Sequence, residues 1–421
     1  MDPQADRHYD ALETRTPEAR AQAQLAQLPL QIAHAKKHAP AFAGVLAGIA
    51  PGDIRSRAAL ASLPVMRKSD LGERQARDRP FGGLATTRWG AVRRVFASPG
   101  GIYEPEGAAV DYWRLARALF AAGFRAGELV HNSFAYHFTP AGSMLESGAL
   151  ALGCAVFPAG TGQSEQQVEA MRDLQPDGYV GTPSFLTVIL EKAEASGVAL
   201  PSLKKVLVSG EAFLADNRRY LADRGIAGYQ VYASADLGSI AYESSAHDGL
   251  VVDEGVLLEI VRPGTGDLVP PGEVGEVVVT LLHNPDYPLV RFATGDLSAV
   301  VPESLSQGSP CGRTNMRIKG WMGRADQSTK VRGLFVHPSQ LAALQRRHPE
   351  LLRVRLVVDH VEGKDHMRLR AELGGGHDGN ADSVAVSLRE LTKLRADAVE
   401  FARPGLLPND GKVIDDVRKP V

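Results

Sequence analysis

Three features are scarce in this sequence: cysteine, net charge of either sign, and long hydrophobic runs. Only two cysteines occur in 421 residues, so we do not expect a fold held by disulfides. We expect a reducing, cytoplasmic setting instead. The formal net charge of -2 argues against a nucleic-acid partner held by a broad basic surface. No apolar run reaches the roughly 20 residues that a membrane span needs, and residues 1–10 lack the pattern of a secretory signal.

What is present is the composition of an ordinary globular protein, with 44% hydrophobic and 23% charged residues. The length predicts two to four packed units, at roughly 100–200 residues per domain. We predict an α/β fold with a large N-terminal region, 1–322, and a small α+β domain of ferredoxin-like type, 323–421. Within the large region, 1–90 is expected to be helical, 90–245 an α/β core and 246–322 a β subdomain.

Short apolar strands alternate with helices across the central part of the chain. The predicted strand Gly178–Gly181, for example, is followed by Thr182 as a helix N-cap and by Pro183 at the first helical position. This alternation is typical of a mainly parallel sheet covered on both faces. Near the C-terminus, Met367–Leu373 alternates apolar and charged residues, which predicts a half-buried strand.

Two segments with polar or glycine residues follow predicted strands of this core. Ser209–Ala212 contains a glycine, which allows backbone to approach a flat ring, and open α/β sheets bind ligands at such strand ends. Tyr232–Asp236 ends in an acid, and Mg²⁺ prefers carboxylate oxygens as ligands. Taken alone, each segment is also what an ordinary turn or helix start contains.

Three more segments lie in the second half of the chain. Tyr287–Asp296 ends in a Gly-Asp turn, and an aspartate offers two oxygens that only accept hydrogen bonds. Gly323–Gly333 is a charged, glycine-bearing stretch at the predicted domain boundary. Pro408–Lys412 is a loop ending in Gly-Lys, where the lysine taken alone would be an ordinary surface residue.

In their order along the chain, these segments resemble those of adenylate-forming enzymes, most closely the phenylacetate–CoA ligase family. The resemblance runs from about residue 90 to the C-terminus. It implies that Tyr232 stacks on adenine, that Asp236 holds Mg²⁺, and that Asp296 accepts hydrogen bonds from both ribose hydroxyls. It also implies that Arg324 reaches the ribose and that Lys412 bridges the substrate carboxylate and the α-phosphate.

The family pattern extends these assignments to larger groups of residues. Asp236 and Lys412 are the implied catalytic residues, and Asp326 is the hinge about which the C-terminal domain would rotate. The implied nucleotide-binding residues are Ser98, Gly100, Gly101, Gly210, Glu211, Ala212, Tyr232, Ser234, Asp296 and Arg324. The implied substrate pocket is formed by Tyr136, His137, Phe138, Phe213 and Ala235.

Two segments depart from the family pattern. In Tyr232–Asp236, alanines replace the glycine and the hydroxyl residue, and the acid is one methylene shorter than glutamate. In the phosphate loop, expected within Phe96–Gly107, both threonines are absent, Pro99 removes a backbone donor and Glu104 adds an unfavourable negative charge. The two glycines of this loop can still form an anion-binding nest.

The implied activity is AMP-forming activation of an organic acid, expected to be aromatic, followed by transfer to CoA. Its cofactors are ATP/AMP, Mg²⁺ and CoA, its partners are small molecules, and a homodimer is the assembly considered. Two alternatives stay open at this point. One is an adenylyltransferase of the coenzyme F390 synthetase type, which needs no CoA, and the other is a degenerate relative that binds a nucleotide or acyl ligand without turnover.

Overall fold

The computed structural model describes residues 7–98, 101–325, 329–332, 334–361, 364–374, 379–410 and 412–418. The chain forms two compact units. The first unit consists of residues 1–258, 279–292 and 301–320, and the second of residues 259–278, 293–300 and 321–421.

The N-terminal part is mainly helical. Thr16 caps its longest helix, because the hydroxyl accepts a hydrogen bond from the Ala19 amide and Pro17 takes the first helical position. The elements are α1 (Pro17–His38), α2 (Pro40–Val45), α3 (Arg57–Ala61), β1 (Met66–Arg67) and α4 (Leu71–Arg77), with 3₁₀ turns at Ala11–Thr14, Pro51–Asp53 and Lys68–Asp70. A hairpin follows, formed by β2 (Arg94–Ser98) and β3 (Ile102–Glu106).

Strands and helices then alternate, as the sequence predicts. The elements are α5 (Ala116–Ala121), β4 (Leu129–Asn132), α6 (Ala141–Leu152), β5 (Ala155–Phe157), α7 (Ser164–Leu174), β6 (Gly178–Gly181), α8 (Pro183–Ala195), β7 (Lys205–Val208), α9 (Ala215–Ala222) and β8 (Ala227–Ser234). The apolar spacing of the sequence predicts a helix over Tyr112–Ala122, whereas α5 begins only at Ala116. The Asp111 carboxylate accepts hydrogen bonds from the amides of Leu115 and Ala116, so it satisfies the donors of the first turn.

An eight-stranded sheet organises the first unit. Its remaining strands are β9 (Gly238–Glu243), β10 (Leu250–Val252) and β14 (Arg317–Ile318), and the order is β14-β10-β9-β8-β7-β6-β4-β5. The pairs from β5 to β8 are parallel, whereas those from β8 to β14 are antiparallel. The carboxyl ends of β7 and β8 therefore lie side by side at one edge of the parallel part.

A second sheet has four strands in the order β1-β13-β12-β11. Its last three strands are β11 (Val256–Val261), β12 (Gly275–Leu281) and β13 (Phe292–Ser298), and a 3₁₀ turn follows at Pro302–Leu305. The sequence predicts strands over Val256–Val261 and Leu297–Val301. Strand β11 has the predicted bounds, while β13 begins five residues before Leu297.

The C-terminal part is α+β, as predicted. Its elements are β15 (Thr329–Val331), β16 (Leu334–Val336), α10 (Pro338–Arg347), β17 (Leu351–Val361), β18 (Lys364–Leu373), α11 (Ala381–Thr392), β19 (Ala398–Ala402) and β20 (Ile414–Asp416). The sheet order is β19-β18-β17-β20, and β15 and β16 pair separately. The elements from β16 to β19 follow the strand–helix–strand–strand–helix–strand order of a ferredoxin-like domain, although β16 pairs with β15 in a separate two-stranded sheet. The unpredicted β20 is an additional strand that pairs in parallel with β17.

The mixed α/β fold with a large N-terminal region and a small C-terminal sheet is thus confirmed. Each unit has its own apolar core, one built around Trp113 and Phe124 and the other around Leu356 and Leu369. Within the part of the chain that the structure describes, no helix combines the length and the hydropathy that crossing a bilayer requires.

Candidate functional site

Asp296 lies on β13 in the second unit, and two donors hold one of its oxygens. Trp321 Nε1 donates to Oδ1 at 3.1 Å, and Arg324 Nη1 donates to the same oxygen at 3.0 Å. The backbone of Asp296 also forms an isolated antiparallel bridge with Arg324, which fixes the two residues side by side. The aspartate side chain is 16% exposed, so it lies at the surface edge and not in a sealed interior.

Gly295 is required for this arrangement. Its φ is +77°, and a Cβ placed there would lie 2.6 Å from Arg324 Nη2, so any side chain would displace the guanidinium. The preceding Thr294 accepts a hydrogen bond from the Asp296 amide at 3.1 Å and donates to the Val277 carbonyl at 3.2 Å. The Thr-Gly-Asp segment therefore builds a rigid carboxylate beside a cation and an indole.

Lys412 belongs to the same unit and lines a cavity of about 310 Å³. The cavity is lined by Leu297, Met322, Gly323, Arg324, Thr329, Lys412, Ile414, Asp415 and Asp416. The Lys412 side chain is 52% exposed, and its Nζ lies 3.3 Å from Asp415 Oδ1. The structure thus brings the predicted residues Arg324 and Lys412 to one cavity, with Asp296 bonded to Arg324.

Asp236 in the first unit is buried and paired with a lysine that no motif predicts. Lys68 Nζ lies 2.6 Å from Asp236 Oδ2, and the Ser234 hydroxyl lies 3.3 Å from the same oxygen. Ser234 Oγ also accepts a hydrogen bond from the Asp236 backbone amide at 3.2 Å. Among the described residues, the other oxygen, Oδ1, is buried without a hydrogen-bond partner.

Glu104 on β3 is the second acid of this cluster, and it is fully buried. Burial and then the nearby charge of Asp236 raise the pKa of the Glu104 carboxyl to about 8, although Ser98 and Lys68 act in the opposite direction. The carboxyl is therefore mainly protonated at neutral pH. At pH 7 the Glu104 carboxyl of the folded chain thus carries little of the negative charge that the sequence suggests for this loop.

The two acids provide a test of whether this site fits Mg²⁺. Asp236 offers a buried oxygen without a partner, and the Glu104 carboxyl is close enough to interact with it electrostatically. Carboxylate oxygens are the donors that Mg²⁺ prefers, with phosphate oxygens and water completing its shell. No group of three metal-binding side chains occurs across the described ranges. The residues fit a cation that is shared with phosphates rather than one enclosed by protein alone.

The segments predicted to flank adenine meet at the carboxyl ends of β7 and β8. Gly210 has a φ of +82°, and Ser209 Oγ donates to the Val231 carbonyl at 2.8 Å, which ties the residue after β7 to the middle of β8. Tyr232 is half-buried on β8. Glu211 is exposed and accepts hydrogen bonds from the amide and the hydroxyl of Ser184, so it also caps α8. The neighbouring Ala212 is exposed as well.

The predicted substrate pocket is only partly assembled in the first unit. Tyr136 and Ala235 are half-buried, His137 is exposed, and Phe138 is 77% exposed with a φ of +59°. Phe213 differs from the prediction of a ligand-facing ring, because it is buried in a core cluster beneath α9. Its apolar ring packs against the sheet, and a Cβ on Gly228 would lie 2.7 Å from it.

The remaining predicted residues lie in the phosphate loop and the hinge. Ser98 is buried at the end of β2, and Gly101 has a φ of +72° in the turn that follows. Gly100 and Asp326 lie outside the described residues.

Sequence reasoning missed Lys68 and Trp321. Lys68 lies 168 positions from its partner Asp236, so no local pattern could have signalled the pair. Trp321 lies two positions before Gly323 of the Gly323-Arg324 segment, and this position was the signal that the sequence offered.

Comparisons with known proteins show which family this chain resembles. A family model described as AMP-binding enzyme matches residues 113–281. The chain is 31% identical to the phenylacetate-coenzyme A ligase of Pseudomonas putida over 407 residues, covering 91% of this chain and 90% of that protein. It is 30% identical to the enzyme of the same name from Aromatoleum evansii over 392 residues, covering 88% and 86%.

Among solved structures, an open conformation of 2-hydroxyisobutyryl-CoA ligase in complex with 2-HIB-AMP and CoA is similar. The TM-score is 0.72 and the identity 25%, over 97% of this chain and 93% of that one.

Proposed function

Because the chain belongs to the phenylacetate–CoA ligase family, we propose that it activates an organic carboxylic acid with ATP and transfers the acyl group to CoA. The single observation that carries this proposal is the grouping of Asp296, Arg324 and Lys412 in the second unit, two of them on one cavity. A carboxylate that accepts hydrogen bonds, a guanidinium and an ammonium are the groups that a ribose and its phosphates require.

A carboxylate is a poor electrophile, because its charge repels nucleophiles and its oxide is a poor leaving group. Attack of the acid on the α-phosphate of ATP expels pyrophosphate and forms an acyl-adenylate. Lys412 would stabilise the charge that develops on the α-phosphate and the incoming carboxylate. Asp296 and Arg324 would hold the ribose, so that the reacting atoms are aligned before attack. The CoA thiolate then displaces AMP and leaves a thioester.

Asp236, through the oxygen Oδ1 that has no partner among the described residues, would hold Mg²⁺ in the first unit. When bound, the cation neutralises phosphate charge and acts as a Lewis acid on phosphate oxygens. Lys68 orients the Asp236 carboxylate through an ion pair, with its Nζ 2.6 Å from Oδ2. Ser234 orients the same carboxylate through its hydroxyl.

We propose an aromatic acid as the substrate. Tyr136, His137 and Phe138 follow β4, so the first unit supplies three flat side chains to the predicted substrate pocket. Aromatic rings pack on one another in offset or edge-on arrangements. The names of the curated relatives, which refer to phenylacetate, support the same class.

The adenylation half-reaction tests the proposal. Acid-dependent exchange of pyrophosphate into ATP is measured with a panel of aromatic and aliphatic acids that includes phenylacetate. We expect Lys412→Ala to lower the exchange rate by roughly 100- to 1,000-fold, as loss of a key charge-stabilising donor does. Lys393→Ala is the matched control, because Lys393 is an exposed lysine of the same unit that follows α11. Equal exchange in Lys412→Ala and the control would contradict the assigned role.

The two alternatives give different results in the same assay. An adenylyltransferase would release pyrophosphate with a hydroxyl acceptor and would show no thioester when CoA is added. A degenerate relative would bind ATP or AMP in a calorimeter without any pyrophosphate release across the panel. The altered phosphate loop, with Pro99 and without threonines, is the observation that keeps the second alternative under test.

A further inference from the structure

Hairpin β17–β18 in the second unit has one apolar face and one charged face. Val354 and Leu356 point into the core cluster of the unit. Arg353 and Arg355 alternate with them along β17, so they project from the opposite face. Arg355 is only 5% exposed, which is unusual for a residue that carries a permanent charge. The charge of this buried guanidinium therefore needs acidic or hydrogen-bonding partners.

The compensation comes from the loop that carries Lys412. Arg355 Nη2 donates to the Pro408 carbonyl at 3.2 Å and to Asp410 Oδ1. Its Nη1 lies 3.7 Å from Asp415 Oδ2, on the other side of Lys412 in the chain. One guanidinium therefore holds the loop both before and after the lysine.

Both acids that Arg355 contacts also contact Lys412. Asp410 Oδ1, which accepts from Arg355, also accepts the Lys412 backbone amide at 3.1 Å. Asp415 presents Oδ2 to Arg355 and Oδ1 to the Lys412 ammonium, at 3.3 Å. The first bridge fixes the backbone of the lysine, and the second fixes the resting place of its charged end.

Neighbouring contacts anchor the ends of the same loop. Arg353 Nη1 donates to the Leu407 carbonyl at 3.0 Å, and the Leu407 amide donates to Glu372 on β18 at 2.6 Å. After the lysine, the Leu356 amide donates to the Val413 carbonyl at 2.9 Å where β20 begins beside β17. Arg355 lies between these anchors and is the group that reaches the lysine through two acids.

A buried charge is a costly way to stabilise a fold, because well-packed apolar residues of similar volume usually do at least as well. A planar guanidinium instead gives directional hydrogen bonds to several acceptors at once. We propose that Arg355 is a positioning residue for Lys412. Through Asp410 and Asp415, Arg355 sets the position of the Lys412 ammonium and the direction from which the ammonium approaches the α-phosphate. This inference rests on the proposed function, since it assigns Lys412 a role in adenylation.

The test compares Arg355→Gln and Asp410→Asn with Arg370→Gln. Arg370 is the cross-strand partner of Arg355 on β18, but it is more exposed and its nearest ion pair is with Glu400 at 3.6 Å. Two rates are measured for each variant. One is ATP–pyrophosphate exchange with the best acid of the panel, and the other is thioester formation from synthetic phenylacetyl-adenylate and CoA.

We expect Arg355→Gln and Asp410→Asn to lower the maximal exchange rate by roughly 10- to 100-fold, because misplacing a reacting group by about 1 Å costs up to about 100-fold. The KM for ATP should stay within about threefold, since Asp296 and Arg324 are untouched. Thioester formation should stay within about threefold as well, because the proposed mechanism gives Lys412 a role in adenylation only. In a Lys412→Ala background, Arg355→Gln should add less than a twofold further loss, since the two residues act as a unit.

A merely structural role gives a different pattern. Equal losses in both half-reactions, or a full additional loss in the Lys412→Ala background, would overturn the inference. Asp410→Asn keeps the test decisive if Arg355→Gln does not fold, because Asp410 lies in the surface loop. The acetylation rate of Lys412 by acetic anhydride, read by mass spectrometry, needs no turnover. It should change at least threefold in Arg355→Gln and Asp410→Asn but not in Arg370→Gln, and no change would also overturn the inference.

Failure of the proposed function looks different again. If the wild-type chain and Arg370→Gln catalyse no exchange with any acid, the ligase assignment is wrong. The acetylation rates would then still decide whether Arg355 positions Lys412.

Discussion

Replacing Glu104 with glutamine perturbs a single buried proton. Glutamine has the shape of a protonated glutamate but cannot ionise, so it mimics the form that the folded chain holds at neutral pH. Burial and the charge of Asp236 raise the pKa of the Glu104 carboxyl from 4.5 to about 8. Between these two pH values, the folded chain holds a proton that the unfolded chain has lost. The free energy of unfolding of the wild type therefore falls as the pH rises toward about 8.

The size of this effect follows from the two pKa values. The step from 4.5 to about 8 corresponds to about 5 kcal/mol at most, at roughly 1.4 kcal/mol for each tenfold change in proton affinity. Relaxation of the protein around the ionised carboxylate makes the real effect smaller than this maximum. We therefore expect the free energy of unfolding of the wild type to fall by at least about 2 kcal/mol between pH 5 and 8.5 because of Glu104. Glu104→Gln should lose none of it, and its stability relative to the wild type should rise across that range.

Urea unfolding followed by circular dichroism, at several pH values from 5 to 8.5, measures the difference. Glu73→Gln is the control, because Glu73 is an exposed glutamate whose ion pair with Arg77 lies on the surface. The comparison with this control removes the pH dependence of all other groups. If Glu104→Gln and Glu73→Gln follow the same pH dependence as the wild type, the carboxyl of Glu104 is not held protonated and the reasoning is wrong.

Two further predictions concern the paired charges. Lys68→Met should destabilise the first unit by about 3 kcal/mol in urea unfolding, because it leaves the buried Asp236 without its cation. Adding Asp236→Asn to this variant should recover most of the lost stability, and no recovery would refute the pairing. Gly295→Ala should weaken ATP binding about tenfold in calorimetry, since the added Cβ would lie 2.6 Å from Arg324 Nη2 and displace the guanidinium. An unchanged affinity would show that ATP binding does not depend on this position of Arg324.

Local features of the fold could be predicted because neighbouring residues determine them. The Thr182 cap forms as expected, with its hydroxyl accepting the Phe185 amide, and Val256–Val261 has the predicted bounds. In contrast, β20 was missed, since Ile414–Asp416 is short and contains two acids that resemble a loop. It becomes a strand because the edge of β17 offers it hydrogen-bond partners, which no local pattern reveals.

The candidate site shows the same division. Asp296 and Arg324 could be paired from motifs, because each lies in a recognisable segment and a backbone bridge then joins them. Lys68 could not, since its partner is distant in sequence and the intervening fold brings them together. Phe213 was assigned to a pocket from its neighbours, but the packing beneath α9 takes its ring into the core. Residue type predicts chemistry, whereas tertiary packing decides which side chains face a ligand.

Charge at the phosphate loop bears directly on whether the chain turns over substrate. A carboxylate at Glu104 would repel pyrophosphate and would favour a relative that only binds ligands. At pH 7 that carboxyl is mainly protonated, because its pKa is about 8, and the charge of Asp236 is balanced by Lys68 at 2.6 Å. The cluster is therefore close to neutral where the sequence suggests an excess of negative charge. Of the two buried acids described there, Asp236 is paired with Lys68 and Glu104 is mainly protonated, so an approaching polyphosphate meets little repulsion from them. This supports the ligase over the degenerate alternative despite the missing threonines.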